Sequence, residues 1–269
     1  MNVASDTGSD NMLRADVCAA AIADAFSGDG ERLCNPIGNL PLIGGRLAAS
    51  TNEPHLAITD GYYTLLDNVP PVGLAEPERI EQRTIAHWNP YREMFGLLWQ
   101  GRRHVMMGPV QLDRFGNANI AAIGSWAQPK SQMLGFRGAP GNTINHTTSY
   151  WVPNHSSRVF VDSVDVVCGV GYDRAAALGA VASRFHEIRR VVTNLAVLDF
   201  EAEDSDGIAT MRLRSVHPGV TVDEVVEATG CDLVVPAEVP TSRVPTPEEL
   251  EVIESLDPNG LRHREVPEQ

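Results

Sequence analysis

The sequence predicts an α/β fold, an open and largely parallel sheet flanked by helices, and two observations carry that prediction. Short apolar runs punctuated by Gly and Pro alternate with helix-patterned segments along most of the chain, the order that builds parallel sheets through crossover helices. The chain has 269 residues, 43% hydrophobic and 21% charged, ordinary globular usage and enough for one large domain or two small ones.

Taken in order, Met12 to Phe26 reads as a helix. Leu13, Val17, Ala20, Ala21 and Ala25 fall near one face, and Gly28–Asp29–Gly30 ends it. Candidate strands follow at His55–Thr59, His104–Met107, Arg158–Val161, Val164–Cys168, Arg190–Thr193, Ala196–Phe200 and Ala209–Val216. Helix-like segments lie between some of them, at Leu40–Ser50, Pro90–Trp99 and Val222–Ala228. This places an α/β domain over residues 12–235. From Pro236 the composition changes: six prolines and an excess of Glu over Arg mark residues 236–269 as an extended tail. One short helix is expected inside it, because Thr246 suits an N-cap, Pro247 the first helical position and Glu249 a capping box.

Charge and composition exclude several functions. The net charge of −14 opposes a nucleic-acid partner, since phosphate binding needs clustered Lys and Arg. The polar, acidic N-terminus lacks the order of a signal peptide, and no apolar run approaches the roughly 20 residues that cross a bilayer. A cytoplasmic location without a membrane partner is expected. Cys18, Cys34, Cys168 and Cys231 are scattered without C-x-x-C spacing, which suits reduced thiols rather than a zinc site or disulfides. No zinc-type His pair, nucleophile elbow or phosphate loop is present, and no metal site is expected. His104 and His217 read as structural residues.

Three stretches remain that could carry chemistry. Leu56–Tyr62 runs from an apolar strand into Thr59, Asp60 and Gly61, which puts small polar residues at a strand's carboxyl end, where open α/β sheets bind ligands. A plain turn is the competing reading. Gly108–Asn119 reads as a hairpin turning at Gly116–Asn117, decorated with Gln111, Asp113, Arg114 and Asn119. Gly135–Trp151 is the most unusual: Gly138 and Gly141 permit close backbone approach, and Asn142, Thr143, Asn145, His146, Thr147, Thr148, Ser149 and Tyr150 form a dense uncharged polar run. Such a run reads as a loop that binds carbonyl, hydroxyl and amide groups, with a solvated polar loop as the alternative, because buried polar groups need partners.

In this order the segments resemble the beta subunit of class I coenzyme A transferases of the glutaconate CoA-transferase type. The resemblance runs from about Arg14 to Leu233 and rests on Gly108–Asn119, Gly138–Asn142, Thr193–Phe200 and Ser215–Val225. It implies a CoA-transferase-like fold, an acyl-CoA ligand, a homologous alpha subunit in an α2β2 heterotetramer, and no cofactor beyond the CoA of the substrate. One departure bears on the chemistry. Transferase beta subunits carry a Ser-Glu-Asn-Gly motif whose Glu holds CoA as a thioester; here Ile58–Thr59–Asp60–Gly61 stands in its place, with Thr59 at the Glu position. Asp60 is one residue away, which along a strand points it to the other face unless a bulge intervenes.

Thr59–Gly61, Gly101–Val105 and Gly138–Val152 resemble a branch of the family, the actinobacterial hydrolases that open a carbocycle of steroid catabolites as CoA thioesters. That resemblance implies the beta subunit of a ring-opening hydrolase acting by retro-Claisen cleavage on a cyclic β-keto acyl-CoA. It implies no certain catalytic group in this chain, with the carboxylate base coming from the alpha subunit. Substrate or CoA contacts are expected at Thr59, Asp60, Gly61, Gly138, Gly141, Asn142, Thr143 and His146. A conventional CoA transferase and a non-catalytic partner of an active alpha subunit are the other two classes in play.

Overall fold

The structure is a computed structural model that describes residues 13–60, 64–202 and 207–266. Six strands form its central sheet: β1 (Leu33–Pro36), β2 (Arg103–Met107), β3 (Thr147–Val152), β4 (Glu187–Thr193), β5 (Ala196–Glu201) and β6 (Thr210–Val216). They lie side by side in chain order. The first four are parallel and the last two antiparallel, so the expected α/β fold with a largely parallel sheet is what the chain adopts.

Each face of the sheet covers its own apolar cluster, as the period-2 alternation of a strand demands. Met106 and Trp151 point to one side, into a cluster with Ile22, Phe26, Ile43 and Leu47. Val105, Met107, Tyr150 and Val152 point to the other, with Phe160, Ile188 and Leu198. The first face is built by α1 (Arg14–Ala25) and α2 (Asn39–Ser50). Their packing depends on Gly44, where a Cβ would stand 2.3 Å from Ile22 Cγ2. The Ala-rich α1 suits this contact, because small side chains favour the helix and let the partner close in.

Residues 236–266 contribute two helices, Pro247–Leu256 and Leu261–Glu265, rather than the one expected. The Thr246–Glu249 capping box forms as expected, Thr246 Oγ1 accepting from Glu249 N at 3.2 Å. Ile253, Leu256 and Val266 enter the α1–α2 cluster. Arg262 is buried and paired with Asp16 and Asp257.

Several sequence-based expectations need correction. Arg158–Val161 and Val164–Cys168 are not strands; they belong to the long connection between β3 and β4, and Phe160 makes only an isolated bridge to Leu112, whose two-residue strand is too short to extend a ladder. Of His55–Thr59 only Ile58–Thr59 is a strand, paired in a small sheet with Thr64–Leu66, which pairs in turn with Ile85–Trp88. The polar run from Gly138 is not a loop. Gly138 caps a helix, Ala139–Asn145, with Pro140 in its first turn, and Thr147–Val152 is the fully buried central strand β3. The Gly108–Asn119 segment is the hairpin expected, Gln111–Leu112 pairing with Ala118–Asn119.

Candidate functional site

A cavity of about 470 Å³ opens beside the carboxyl end of β1, and Thr59 and Asp60 line it. Ala57 bridges Leu33 in parallel, so the chain runs alongside β1 and brings Thr59 and Asp60 level with its last residues, Asn35 and Pro36. This is the edge at which open α/β sheets place ligands. Gly61 lies outside the described residues.

The charged residues lining this cavity are Arg46, Arg79, Arg83 and Asp60. Arg83 pairs with Asp60 and Arg79 with Glu76, which leaves Arg46 as the lining cation that no carboxylate of the described residues pairs with. Asp60 is committed within the chain: its Oδ2 accepts from Arg83 Nη1 at 2.6 Å and its Oδ1 from Thr64 N at 3.2 Å. Arg46 donates to the carbonyls of Pro70 and Pro71 at 2.7 and 2.8 Å, and burial lowers its pKa. A second cavity, of about 520 Å³, lies under residues 236–243 and is lined by Arg190, Arg212, Arg214 and Arg243. Asp199, Asp24 and Glu249 neutralise three of these four, so it reads as a lattice of ion pairs rather than a site.

The residues expected on the Gly-rich stretch divide by role. Asn142 is buried; its Oδ1 accepts from Arg103 Nη1 at 3.2 Å and its Nδ2 meets Met107 Sδ at 3.4 Å. Arg103 also donates to Asn35 Oδ1, and Asn35 lines the cavity. A chain of hydrogen bonds therefore connects Asn142, through Arg103 and Asn35, to the cavity that holds Thr59. Thr143 serves the fold, donating to Ala139 O at 3.2 Å and accepting from Val170 N at 2.8 Å. His146 is buried, with Nδ1 2.9 Å from Thr147 O. A carbonyl only accepts, so Nδ1 carries the proton and Nε2 keeps its lone pair; Nε2 is buried without a partner. Burial pushes the His146 pKa down to about 4, so the ring is neutral at physiological pH. Gly138 and Gly141 have ordinary backbone angles, and a Cβ on Gly141 would meet nothing within 4 Å.

Thr147 and Ser149, farther along the run, serve the fold. Thr147 Oγ1 accepts from Arg32 at 2.7 Å and donates to Glu187 at 2.6 Å. Ser149 donates to His104 Nε2 at 2.9 Å, and His104 Nδ1 donates to Asp29 at 2.6 Å. This Ser–His–Asp order has the spacing of a nucleophile with its base, but Ser149 and His104 are fully buried beneath Phe26. No substrate reaches them. The ion pairs and hydrogen bonds hold strand, helix end and Asp29 together, which agrees with reading His104 as structural. Burial opposes ionisation of Asp29, yet the hydrogen bond from His104 and the Arg189 charge hold its carboxyl below the usual range.

Sequence reasoning singled out Thr59, Asp60, Asn142 and His146, and missed Arg46, Asn35 and Arg103 as members of this surround. The one signal for Arg103 was a basic residue opening the apolar strand His104–Met107.

The fold defines a class, α/β proteins with an open, largely parallel sheet and a cavity at its carboxyl edge. Residues 91–228 match the family model for coenzyme A transferase. The chain is 50% identical over 256 residues to the cholesterol ring-cleaving hydrolase IpdB subunit of Rhodococcus jostii, covering 95% of this chain and 96% of that one. It is 46% identical to the IpdB subunit of Mycobacterium tuberculosis over 94% of this chain and 98% of that one. The crystal structure of Rhodococcus jostii IpdAB superposes with a TM-score of 0.87 at 49% identity, over 96% of this chain and 100% of that chain. This chain belongs to the coenzyme A transferase family.

Proposed function

We propose that this chain is the beta subunit of a hydrolase that opens the ring of a cyclic β-keto acyl-CoA in steroid-ring catabolism, acting with a homologous alpha subunit in an α2β2 assembly. The extent of its likeness to the IpdB subunits supports the substrate class and the partner. One observation of the structure carries the chemistry: Thr59 has no carboxylate, and the neighbouring carboxylate of Asp60 is held by Arg83 at 2.6 Å. Transfer of CoA through the protein needs a carboxylate free to attack the thioester. A conventional transferase is therefore disfavoured.

In the reaction proposed, the alpha subunit supplies the carboxylate base that delivers water to the ring ketone. The hydrated carbon then releases its bond to the α-carbon, which takes a proton, and one water is consumed for each ring opened. This chain receives the anionic thioester at the cavity of Arg46, Arg79 and Arg83, and Thr59 offers a hydroxyl where a transferase would place its nucleophile. Preorganised donors that meet developing oxyanion charge are worth roughly 10²-fold or more in rate. The setting proposed is cytoplasmic, and none of the described helices is long and apolar enough to cross a membrane.

The test is isotopic and chemical. The assembled enzyme, turning over in ¹⁸O-water, is expected to place one ¹⁸O in the new carboxylate and to leave this chain at its unmodified mass after borohydride or hydroxylamine trapping. A CoA-derived adduct on Asp60, or transfer of CoA to a free carboxylic acid, overturns the reading.

A further inference from the structure

Several arginines of this protein come with carboxylates. Arg262 has Asp16 and Asp257, Arg189 has Asp29 and Glu187, and Arg212 has Asp199. Arg46, which donates to the carbonyls of Pro70 and Pro71, departs from that pattern, and so does Arg103. Its terminal nitrogens reach two neutral amide oxygens, of Asn35 and Asn142, and among the described residues no carboxylate pairs with it. Its Nε is buried and has no hydrogen-bond partner. Burial alone acts on its pKa, lowering it to about 10, so it stays charged near neutral pH.

The surroundings have the chemistry of a receptor. Arg103 pairs with Leu33 on β1, and lies one step before the His104–Thr147 pairing between β2 and β3, abreast of His146. His104 and Thr147 point toward Asp29 and Arg32, so by alternation Arg103, His146 and Thr148 share the opposite face. His146 Nε2 and Thr148 Oγ1 are also buried and unpartnered. A buried cation left without a counter-charge is costly, and three unpaired polar atoms on one face add to that cost. A chain this acidic has carboxylates in abundance, yet places none here.

We propose that Arg103, half-buried rather than sealed in the core, receives a carboxylate from outside this chain through its terminal N–H groups, as guanidinium groups bind carboxylates. The carboxylate belongs either to the acyl portion of the thioester or to an Asp or Glu of the alpha subunit. The inference rests on the proposed function only for the existence of those two sources; Arg103 is a positioning residue in either case.

The experiment uses the assembled complex and this chain alone, with Arg103→Met and Arg103→Lys. The Arg103→Met chain alone is expected to melt at the wild-type temperature or above it, because an uncompensated charge has been removed. If the acyl group supplies the carboxylate, the wild-type complex binds glutaryl-CoA more tightly than valeryl-CoA by roughly 10- to 100-fold, the scale of a charge-assisted hydrogen bond. Arg103→Met abolishes that preference and Arg103→Lys restores part of it. If the alpha subunit supplies it, thioester preference is unchanged and the subunits associate roughly 10- to 100-fold more weakly in Arg103→Met, again with partial rescue by Lys. Unchanged thioester preference together with unchanged assembly overturns the proposal. So does failure of both variants to fold, which would make Arg103 part of the fold itself. Melting, binding and assembly need no turnover, so an inactive wild-type complex would refute the hydrolase reading without deciding this one.

Discussion

Two polar stretches of this chain look alike on paper and differ in the folded molecule. Thr59–Asp60 lies open to a cavity whose other charged members are arginines. The run from Asn142 to Tyr150 is almost wholly buried, and most of its hydroxyl and imidazole groups are spent on internal partners. The difference teaches that polar density does not mark a binding surface. A strand at the centre of a sheet can be polar if neighbouring strands return every hydrogen bond. A remainder is left on the opposite face: Arg103 Nε, His146 Nε2, Thr148 Oγ1 and Tyr150 Oη are buried without a partner, while Thr147 and Ser149 beside them are satisfied.

The largest effect expected from breaking this comparison is at His104. Its ring links Ser149 to Asp29 and lies 4.5 Å from the Phe26 ring. His104→Ala leaves Asp29 with Arg32 and Arg189 but without the imidazole, a loss of about 1.5 to 3 kcal/mol on the scale of a hydrogen bond to a charged group. Denaturant melts should record it, with thioester affinity unchanged in whatever fraction remains folded. A stable variant that has lost turnover would move the Ser149–His104–Asp29 chain from structure to catalysis.

A pH-dependent effect follows from three buried, neutral histidines. Burial pushes His146, His155 and His217 each down to about 4, from an ordinary 6.5. Between those values the unfolded chain binds protons that the folded chain refuses, so stability is complete above about pH 7 and falls as pH drops from 6.5 toward 4. Each such histidine contributes a slope approaching about 1.4 kcal/mol per pH unit within that window. The cavity around Thr59 has no histidine in its lining, so the acid lability belongs to the strand side. Thermal melts from pH 7.5 to 4.5 should show it, and His217→Gln should make the slope shallower by one proton. A flat profile would mean these rings titrate normally.

The sheet's framework was legible wherever pattern and packing agreed. Leu40–Ser50, His104–Met107 and the Thr246 cap all follow local rules that the tertiary structure leaves in force. The central strand Thr147–Val152 was not, because its polar residues hide the usual apolar signal. Their partners, Arg32, His104 and Glu187, lie some 40 to 115 residues away in sequence. Arg158–Val161 misled for the opposite reason: Phe160 packs in the core, but its one bridge, to Leu112 of a two-residue strand, does not extend into a ladder. At the site, Thr59 was legible from its place at a strand's end. The commitment of Asp60 to Arg83 was not, since Arg83 arrives from beyond a separate short strand.

The smallest expected effect separates fold from function at Gly141. Nothing inside this chain demands a glycine there: its φ is ordinary and a new Cβ would stand in open space. It lies inside the helix Ala139–Asn145, where Ala is favoured over Gly by roughly 0.5 to 1 kcal/mol. Gly141→Ala is therefore expected to raise stability by about 0.5 kcal/mol, the low end because the position is in the first turn. Gly141→Val is expected to leave folding and subunit assembly intact. If the acyl group or the alpha subunit approaches this backbone, the Val variant cuts turnover by roughly 10²-fold, the scale of a lost oxyanion donor. Kinetics measured on the assembled variants read that difference directly. Normal kcat and KM in both would show that Gly141 faces solvent, and would confine this chain's share of the site to the Thr59 cavity and the Asn142–Arg103–Asn35 connection.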